Sequence, residues 1–326
     1  MQKIRFLKQE SVNANTNTTP SKLNVLIKDY MTLTKFTLSF TVVFSCVISY
    51  LLSPNTLVSN VAKIIELFVA GLLVTGAANA INQAVEKDTD ALMKRTAGRP
   101  VAAGRISQQN ALIFAYVSGI LGVVMMWYCF NAQSAIISAF SMFLYAYIYT
   151  PLKKKSSIAV LVGAFPGAFP CLIGWVAGFV AGGDNSWYGG LVLFLIQFLW
   201  QFPHFWAIAW VAHGDYTKAG FKLLPSDKGP TKSTAMKAVV YAALMVPVGM
   251  LAFVPLGGGH PLNDAGTLAG KISFAIVLIC NLFMVVQCIR LYVNMDVKSA
   301  RRVMFSSYIY LPVVLLALLS AVSKTF

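Results

Sequence analysis

Long apolar runs, interrupted by short polar segments, make up most of the chain. Most runs are about 20 residues long, which is the length that an α-helix needs to cross a bilayer. Because backbone groups inside lipid find no water to bond with, each run is predicted to be helical. The pattern predicts an all-α, polytopic membrane protein with nine spanning helices, at residues 36–53, 64–84, 109–130, 133–150, 158–181, 188–210, 237–256, 271–292 and 304–322.

The polar segments between these runs alternate in charge. Of the 26 basic residues, only Lys63, Lys271 and Lys324 fall outside the N-terminal tail and the even-numbered loops. Lys and Arg concentrate in cytoplasmic loops, so this asymmetry predicts a cytoplasmic N-terminus and an external C-terminus. Residues 1–30 are predicted to be a mobile polar tail in the cytoplasm, and residues 31–326 a single transmembrane domain. The tail lacks an Arg-rich amphipathic pattern, which favours a bacterial inner membrane.

Composition supports the membrane assignment and limits the function. Of 326 residues, 57% are hydrophobic and 11% are charged, and the mean hydropathy is +0.69. A soluble domain of this length could not bury so much apolar surface. The net charge of +15 could indicate nucleic acid, but its segregation into alternate loops is typical of a membrane protein, and no nucleic-acid partner is expected. The five cysteines have no C-x-x-C spacing and indicate neither a zinc site nor a disulfide framework.

The most distinctive polar residues follow the second predicted helix. Asn82, Glu86 and Asp90 are four residues apart, which places them on one helix face. Oxygen-bearing side chains on one stripe can hold Mg²⁺, and Arg95 and Arg99 could then bind diphosphate oxygens. The alternative is a solvated, mixed-charge loop, which we disfavour because acidic residues near lipid are costly. The segment therefore predicts a metal–diphosphate site.

A second acidic position follows the sixth predicted helix. Asp215, Tyr216 and Lys218 come four helices after the first acidic stripe. An even number of crossings returns the chain to the same side, so the two segments should face each other across one cavity. Asp215 could supply a second carboxylate for Mg²⁺, or could simply be a turn or cap residue.

The fourth predicted helix ends in an aromatic and basic segment. Tyr149 and Lys153 are four apart and share a face only if the helix continues through Pro151, which disfavours that continuation. Lys153 could bind diphosphate, or could extend to anionic lipid headgroups as many membrane lysines do.

Two predicted spans carry unusual residues in apolar surroundings. The repeat Gly163-Ala-Phe-Pro166-Gly167-Ala-Phe-Pro170 should kink the fifth span, either as a structural bend or to open a cavity for a bulky substrate. His204 lies within the sixth span. Its alternatives are an interhelical hydrogen bond, proton transfer or an axial bond to a metal porphyrin.

Taken together, these segments resemble the UbiA-type intramembrane prenyltransferases. Two of them, R-T-x-x-R-P and P-H-F-W, are similar to the branch of that family that prenylates haem. The segments that carry the resemblance are Asn82-Q-A-V-Glu86-K-D-T-Asp90, Arg95-Thr96-x-x-Arg99-Pro100, Tyr149-Thr-x-x-Lys153, Pro203-His204-Phe205-Trp206 and Asp215-Tyr216-x-x-Ala219-Gly220.

The resemblance implies nine helices around a central cavity that opens to the cytoplasmic side. It implies farnesyl transfer from farnesyl diphosphate to a vinyl group of haem B, giving haem O, with Mg²⁺ as cofactor. Membrane lipid and haem A synthase or the terminal oxidase assembly are expected partners. The implied Mg²⁺ ligands are Asn82, Glu86, Asp90 and Asp215. The implied catalytic set adds Arg95, Arg99 and Lys153. The implied residues around the bound groups are His204 on the haem side, Tyr149, Tyr216 and Lys218.

Two other functions are compatible with parts of this pattern. A prenyltransferase of the same family that acts on an aromatic acceptor such as 4-hydroxybenzoate would share the acidic stripe but should not need His204. A small-solute transporter would use acidic residues as coupling sites near mid-membrane, whereas these acids cluster at helix ends.

Overall fold

The structure, a computed structural model, describes residues 21–57, 59–226, 228–255 and 262–322. The described residues contain α-helices, two short segments of other helical type, at Leu144–Tyr149 (π-helical) and Leu251–Phe253 (3₁₀), and no strand. The α-helices are α1 Lys22–Leu33, α2 Phe36–Leu52, α3 Val61–Val85, α4 Lys87–Ala91, α5 Gln108–Cys129, α6 Ala132–Phe143, α7 Thr150–Leu152, α8 Ala159–Ala177, α9 Tyr188–Val211, α10 His213–Lys218, α11 Lys232–Met250, α12 Leu268–Asn294 and α13 Val297–Ser320.

The predicted all-helical membrane architecture is confirmed. Among the described residues, eight helical stretches are long and apolar enough to cross a membrane. The pair α1 and α2, bent by 52° at its joint, gives a ninth if it counts as one span. Each of the nine predicted runs overlaps one of these stretches, since the spacing of apolar runs is set by bilayer thickness and can be read directly from sequence.

The N-terminal segment is only partly described. Residues 1–20 of the predicted tail lie outside the described residues, and Lys22–Leu33 forms α1. This helix is attached to the rest of the protein, because Gln83 Nε2 donates to the carbonyls of Thr32 (2.8 Å) and Leu33 (3.0 Å). The carboxylate of Asp29 pairs with Arg105 at 2.9 Å. The division into tail and transmembrane domain stays a prediction.

The long helices pack in chain order around a central space. Contacts run from α2 to α3, then through α5, α6, α8, α9, α11, α12 and α13, and α13 returns to α2. The largest hydrophobic cluster is centred on α8, α9 and α11–α13. A smaller one is formed by α3, α5 and the end of α1, and a third by α2, α3, α5, α6 and α8. Many of the buried polar residues collect in a cavity among these helices.

Small residues allow the helices to approach closely. A Cβ atom on Gly122 of α5 would come within 2.8 Å of Val74 Cγ2 and 3.0 Å of the Ala70 carbonyl on α3. Gly174 of α8 packs directly against the backbone of α2 at Cys46. Glycine and alanine at such contacts let van der Waals packing operate without a hydrophobic driving force, as membrane helices require.

Helix α8 contains both predicted proline sites, and both Pro166 and Pro170 line a cavity. A proline removes one backbone donor and frees the carbonyl four residues earlier. The carbonyl of Pro166, which Pro170 cannot bond, accepts from Ser141 Oγ at 3.4 Å. Gln201 Nε2 of α9 donates to the Ala164 carbonyl at 2.9 Å. Side chains of neighbouring helices thus satisfy this helix where it borders the cavity.

Candidate active site

A polar cavity of about 370 Å³ is lined by residues of α2, α3, α4, α8, α9, α10 and α13 and of the segments between helices. Its polar and charged lining residues come from segments far apart in sequence. They are Lys35, Asn82, Glu86, Asp90, Arg95, Thr96, Arg99, Tyr145, Tyr149, Lys153, His204, Tyr216 and Tyr308.

Asn82, Glu86 and Asp90 form the predicted stripe. Although α3 ends at Val85 and α4 begins at Lys87, backbone bonds carry the four-residue spacing across the joint. The Glu86 N–H donates to the Asn82 carbonyl at 2.9 Å, and the Asp90 N–H donates to the Glu86 carbonyl at 2.7 Å. All three side chains are buried, with Glu86 only 5% exposed.

Each member of the stripe has a cationic partner from another segment. Lys35 Nζ donates to Asn82 Oδ1 at 3.0 Å. Lys153 Nζ lies 2.6 Å from Glu86 Oε1. Arg99 Nη1 donates to both carboxylate oxygens of Asp90, at 2.8 and 2.7 Å. Three oxygen donors thus lie beside three cations in one buried space, an arrangement that suits a divalent cation together with a polyanion.

Lys153 is held in place from several sides. Its ammonium lies 5.1 Å from the ring centre of Tyr149 and 5.2 Å from that of Phe221. Burial lowers the pKa of Lys153, and the carboxylate of Glu86 opposes that shift. The expectation that Pro151 ends the helix was wrong: the Lys153 N–H donates to the Tyr149 carbonyl at 3.2 Å. Pro151 falls in the first turn of α7, where its missing donor costs little.

The segment after α9 faces the segment after α3. Arg95 Nη2 donates to the Tyr216 hydroxyl at 2.9 Å, and the guanidinium lies 5.4 Å from the ring centre of Tyr216. The Lys222 N–H donates to the Lys153 carbonyl at 2.8 Å, which ties in the segment after α7. The even number of crossings predicted that these two segments would face each other across one cavity, and they do. The residue that makes the contact is Tyr216, not Asp215.

Asp215 and Lys218 are not among the residues that line the polar cavity. Asp215 lies in the first turn of α10, where its N–H donates to the Ala212 carbonyl. In the part of the chain that the structure describes, there is no group of three or more His, Cys, Asp or Glu that could hold a metal. The donor set at the stripe is thus one amide and two carboxylates. The roles assigned to Asp215 and Lys218 stay predictions.

A second, mainly apolar cavity of about 250 Å³ adjoins the polar one. The residues that line both are Leu38, Tyr145, Tyr149, His204 and Phe205. Between α6 and α7 the chain turns π-helical over Leu144–Tyr149, and such widened turns are frequent at functional sites. Tyr145 and Tyr149 both face the cavities, with ring centres 5.2 Å apart.

Sequence reasoning missed Lys35 and Tyr145, which line the polar cavity, and Thr150, which bonds Asn82 behind it. Lys35 has a left-handed backbone, with φ of 47°, at the joint between α1 and α2. Thr150 Oγ1 accepts from Asn82 Nδ2 at 3.1 Å, on the side opposite Lys35. A lone lysine at the start of an apolar run was the one available signal; Tyr145 and Thr150 looked like ordinary membrane-helix residues.

A helical membrane bundle with a buried donor–cation site beside an apolar cavity has the features of an intramembrane prenyltransferase. The chain belongs to the UbiA prenyltransferase family, whose sequence model matches residues 42–311. Similar proteins include the protoheme IX farnesyltransferase of Cytophaga hutchinsonii, 42% identical over 88% of this chain and 95% of that protein. The protein of the same name from Flavobacterium johnsoniae is 39% identical over 92% and 95%. The resemblance drawn from the sequence motifs is thus confirmed.

Solved structures share the fold. A digeranylgeranylglyceryl phosphate synthase superposes with a TM-score of 0.71 at 21% identity, covering 90% of this chain and 98% of that one. A UbiA homologue from Archaeoglobus fulgidus, bound to GPP and Mg²⁺, gives a TM-score of 0.63 at 14% identity, covering 89% and 99%. At these identities the likeness extends to the fold.

Proposed function

We propose that this protein transfers the farnesyl group of farnesyl diphosphate to a vinyl group of haem B and that water addition completes haem O. The observation that carries the transfer reaction is the set of three donor–cation pairs, open to an apolar cavity. The choice of haem as acceptor is supported by the names of relatives at 39–42% identity.

The residues at the stripe fit Mg²⁺, which prefers carboxylate and amide oxygens. Asn82, Glu86 and Asp90 would hold the ion, which would neutralise diphosphate charge as the leaving group departs. Lys35, Lys153 and Arg99 would then turn from the protein's own oxygens to those of the diphosphate. Arg95, which Tyr216 holds at the same cavity, would contribute a further cation. Asp215 is proposed as a ligand on the facing segment, with Lys218 nearby.

The chemistry follows from charge placement. Heterolysis of the bond between C1 of the farnesyl chain and the diphosphate oxygen sends the electron pair to diphosphate, where fixed cations stabilise it. The vinyl π electrons attack C1, forming a carbon–carbon bond and leaving a cation on the vinyl carbon next to the porphyrin ring. Water adds there and loses a proton. Rings of Tyr145, Tyr149 and Phe205, between the two cavities, can stabilise the allylic cation and exclude water until the bond forms.

The protein's setting is proposed on the same grounds. A bacterial inner membrane, with the N-terminus and the polar cavity on the cytoplasmic side, agrees with the segregation of basic residues. Haem B and farnesyl diphosphate would be the substrates. Haem A synthase or the terminal oxidase assembly would receive the product.

The direct test uses purified protein in detergent with Mg²⁺, haem B and farnesyl diphosphate. Mass spectrometry of the extracted haem should show a species heavier by a farnesyl group plus water, and EDTA should abolish it. Parallel reactions would offer 4-hydroxybenzoate as acceptor. Prenylation of that acid with haem unchanged would replace the proposed acceptor, and unchanged turnover in EDTA would remove Mg²⁺ from the site.

A further inference from the structure

His204 lies where the polar and apolar cavities join, since it lines both. It belongs to α9 and is buried. Its ring stacks on Trp200 with centres 4.7 Å apart and planes at 19°. Tyr308 of α13 contacts it edge-on at 5.2 Å. The imidazole therefore has a fixed plane at the boundary between the two cavities.

The hydrogen bonds of Ser307 determine which ring nitrogen carries the proton. Ser307 Oγ donates to the Met304 carbonyl at 2.6 Å, and a hydroxyl has one hydrogen to donate. The contact of 2.7 Å between Ser307 Oγ and His204 Nδ1 must then have the serine oxygen as acceptor. Nδ1 is therefore protonated, and in the neutral ring Nε2 has a free lone pair.

Among residues 21–57, 59–226, 228–255 and 262–322, the His204 ring makes one hydrogen bond, the contact at Nδ1. No hydrogen bond to Nε2 is found among these residues. A neutral imidazole whose Nδ1–H is bonded to an oxygen is the usual arrangement of a metal-ligating histidine. The rings of Phe205 and Tyr308, at 64° and 74° to the imidazole plane, add apolar surface beside it, which suits a porphyrin. Haem is the one proposed substrate that carries a metal.

We infer that His204 Nε2 is an axial ligand of the iron of haem B and that Ser307 is the positioning residue that fixes its tautomer. The inference rests on the proposed function, because it takes haem as substrate. Coordination anchors the porphyrin at the junction of the cavities. A vinyl group at the porphyrin edge can then meet C1 of the prenyl chain, whose diphosphate lies among the charged residues.

The test is titration of ferric haem into the purified protein without prenyl diphosphate, followed by absorption and EPR spectra. The wild type should give a histidine-ligated spectrum. His204→Ala should lose it and bind haem at least about tenfold more weakly, while affinity for metal-free protoporphyrin, read from its own fluorescence, stays the same. In His204→Gly, added imidazole should restore the ligated spectrum.

Ser307 has a matched control on the same helix. Ser320 Oγ donates to the Ala317 carbonyl, three residues earlier, just as Ser307 Oγ donates to the Met304 carbonyl. Unlike Ser307, Ser320 is exposed. Loss of a partner to a metal-bound histidine weakens metal binding about 10- to 100-fold. Ser307→Ala should weaken haem binding in that range and shift its spectrum, Ser307→Thr should retain the wild-type values, and Ser320→Ala should change nothing.

A measurement on the unmutated protein guards against variants that fail to fold. The chain has three histidines, so labelling histidine with ¹⁵N and recording pulsed EPR should detect a directly bound ¹⁵N nucleus on ferric iron. The same signal in His213→Ala would exclude that residue as its source. Absence of the ¹⁵N coupling, or a spectrum unchanged in His204→Ala, would overturn the inference. If haem is still farnesylated in that case, the proposed function stands; if haem is neither bound nor modified, that function fails too.

Discussion

At the scale of single residues, Asp90 bonds two residues of the segment that follows it. Its carboxylate receives both bonds from one nitrogen of Arg99. Its carbonyl accepts from Thr96 Oγ1 at 2.8 Å, and its side chain is 1% exposed. The guanidinium beside this enclosed carboxylate gives it a paired charge. Asp90 thereby links the proposed metal ligands to the arginine segment.

Replacing Asp90 with Asn removes the negative charge and keeps the shape. We expect turnover to fall by about 100-fold or more, as when a group that stabilises transition-state charge is lost, while the protein remains folded. Asp88→Asn, an exposed neighbour, is the matched control and should keep wild-type turnover. The rate of haem O formation measures turnover, and the melting temperature checks that each variant is folded. Near-normal turnover in the Asp90 variant would remove it from the proposed site.

Lys153→Met tests the buried pair with Glu86. Removing one partner leaves an uncompensated buried charge, which costs about 3 kcal/mol or more of unfolding free energy. Lys154→Met removes an exposed lysine next in sequence and should cost less than about 0.5 kcal/mol. Melting temperatures in one detergent compare the two. Equal melting temperatures would show that the pair of Lys153 and Glu86 does not stabilise the protein.

The four-residue spacing was enough to place Asn82, Glu86 and Asp90 together, because helical periodicity is local. The partners of these residues were harder to predict. Lys35 and Thr150 reach Asn82 only through the packing of α2, α3 and α7, and no local pattern encodes such contacts. The same reason explains why Tyr216 was placed on the facing segment while its partner Arg95 was assigned only to diphosphate.

At the scale of helices, α8 shapes the junction of the cavities through its glycines. A Cβ on Gly163 would come within 2.6 Å of Tyr149 Cε2. Gly163→Ala should therefore displace the Tyr149 ring, cost about 1–3 kcal/mol and lower turnover. Gly214→Ala, where an added Cβ meets nothing within 4 Å, is the control. An alanine at 163 that melts and turns over like wild type would show that Tyr149 moves freely.

The short helix α1 is joined to the arginine segment by one ion pair. Arg105 Nε donates to both oxygens of Asp29 at 3.0 Å, and its Nη2 donates to the Gly98 carbonyl, one residue before Arg99. Asp29→Arg should raise the KM for farnesyl diphosphate several-fold by loosening the Arg99 segment. The double variant Asp29→Arg with Arg105→Asp should recover part of the loss. No recovery in the swap would mean that the contact acts through shape alone.

The sequence predicted every long helix, because apolar length is a direct consequence of bilayer thickness. It did not predict α1 or α7. Helix α1 is only twelve residues long and carries Lys22, Lys28 and Asp29, so it does not stand out as an apolar run. Its attachment through Gln83 and Arg105 is tertiary. Continuation of the helix through Pro151 depends on the π-helical turn before it, which side-chain pattern does not reveal.

At the scale of the whole molecule, the site draws its residues from helices far apart in the chain. The stripe belongs to α3 and α4, beside the cluster of α3 and α5, whereas His204 and Tyr216 follow the larger cluster around α9. These residues meet because α2 packs against both α3 and α8, and α8 packs against α9. A change that disrupts the packing of these helices should therefore also disrupt the site.

The number of membrane crossings predicts the sides of the two ends. If α1 and α2 make one crossing, the described residues contain nine, which predicts termini on opposite faces. A fluorescent protein should be bright when fused at the N-terminus and dark at the C-terminus, and alkaline phosphatase should show the reverse. The loop at Lys154 and Lys155 serves as a control for the basic face. Both termini on one face would mean eight crossings and would reassign α2.

Lys35 combines an unfavourable backbone with a contact to Asn82. A left-handed conformation costs a residue with a side chain about 1 kcal/mol, and glycine adopts it freely. Selection for thermal stability alone would therefore favour glycine at this position and would discard the ammonium that faces the stripe. Stability and catalysis therefore oppose each other at this joint. A thermostabilised variant made for structure determination should keep Lys35. Glycine at this position would give a more stable protein with an impaired site.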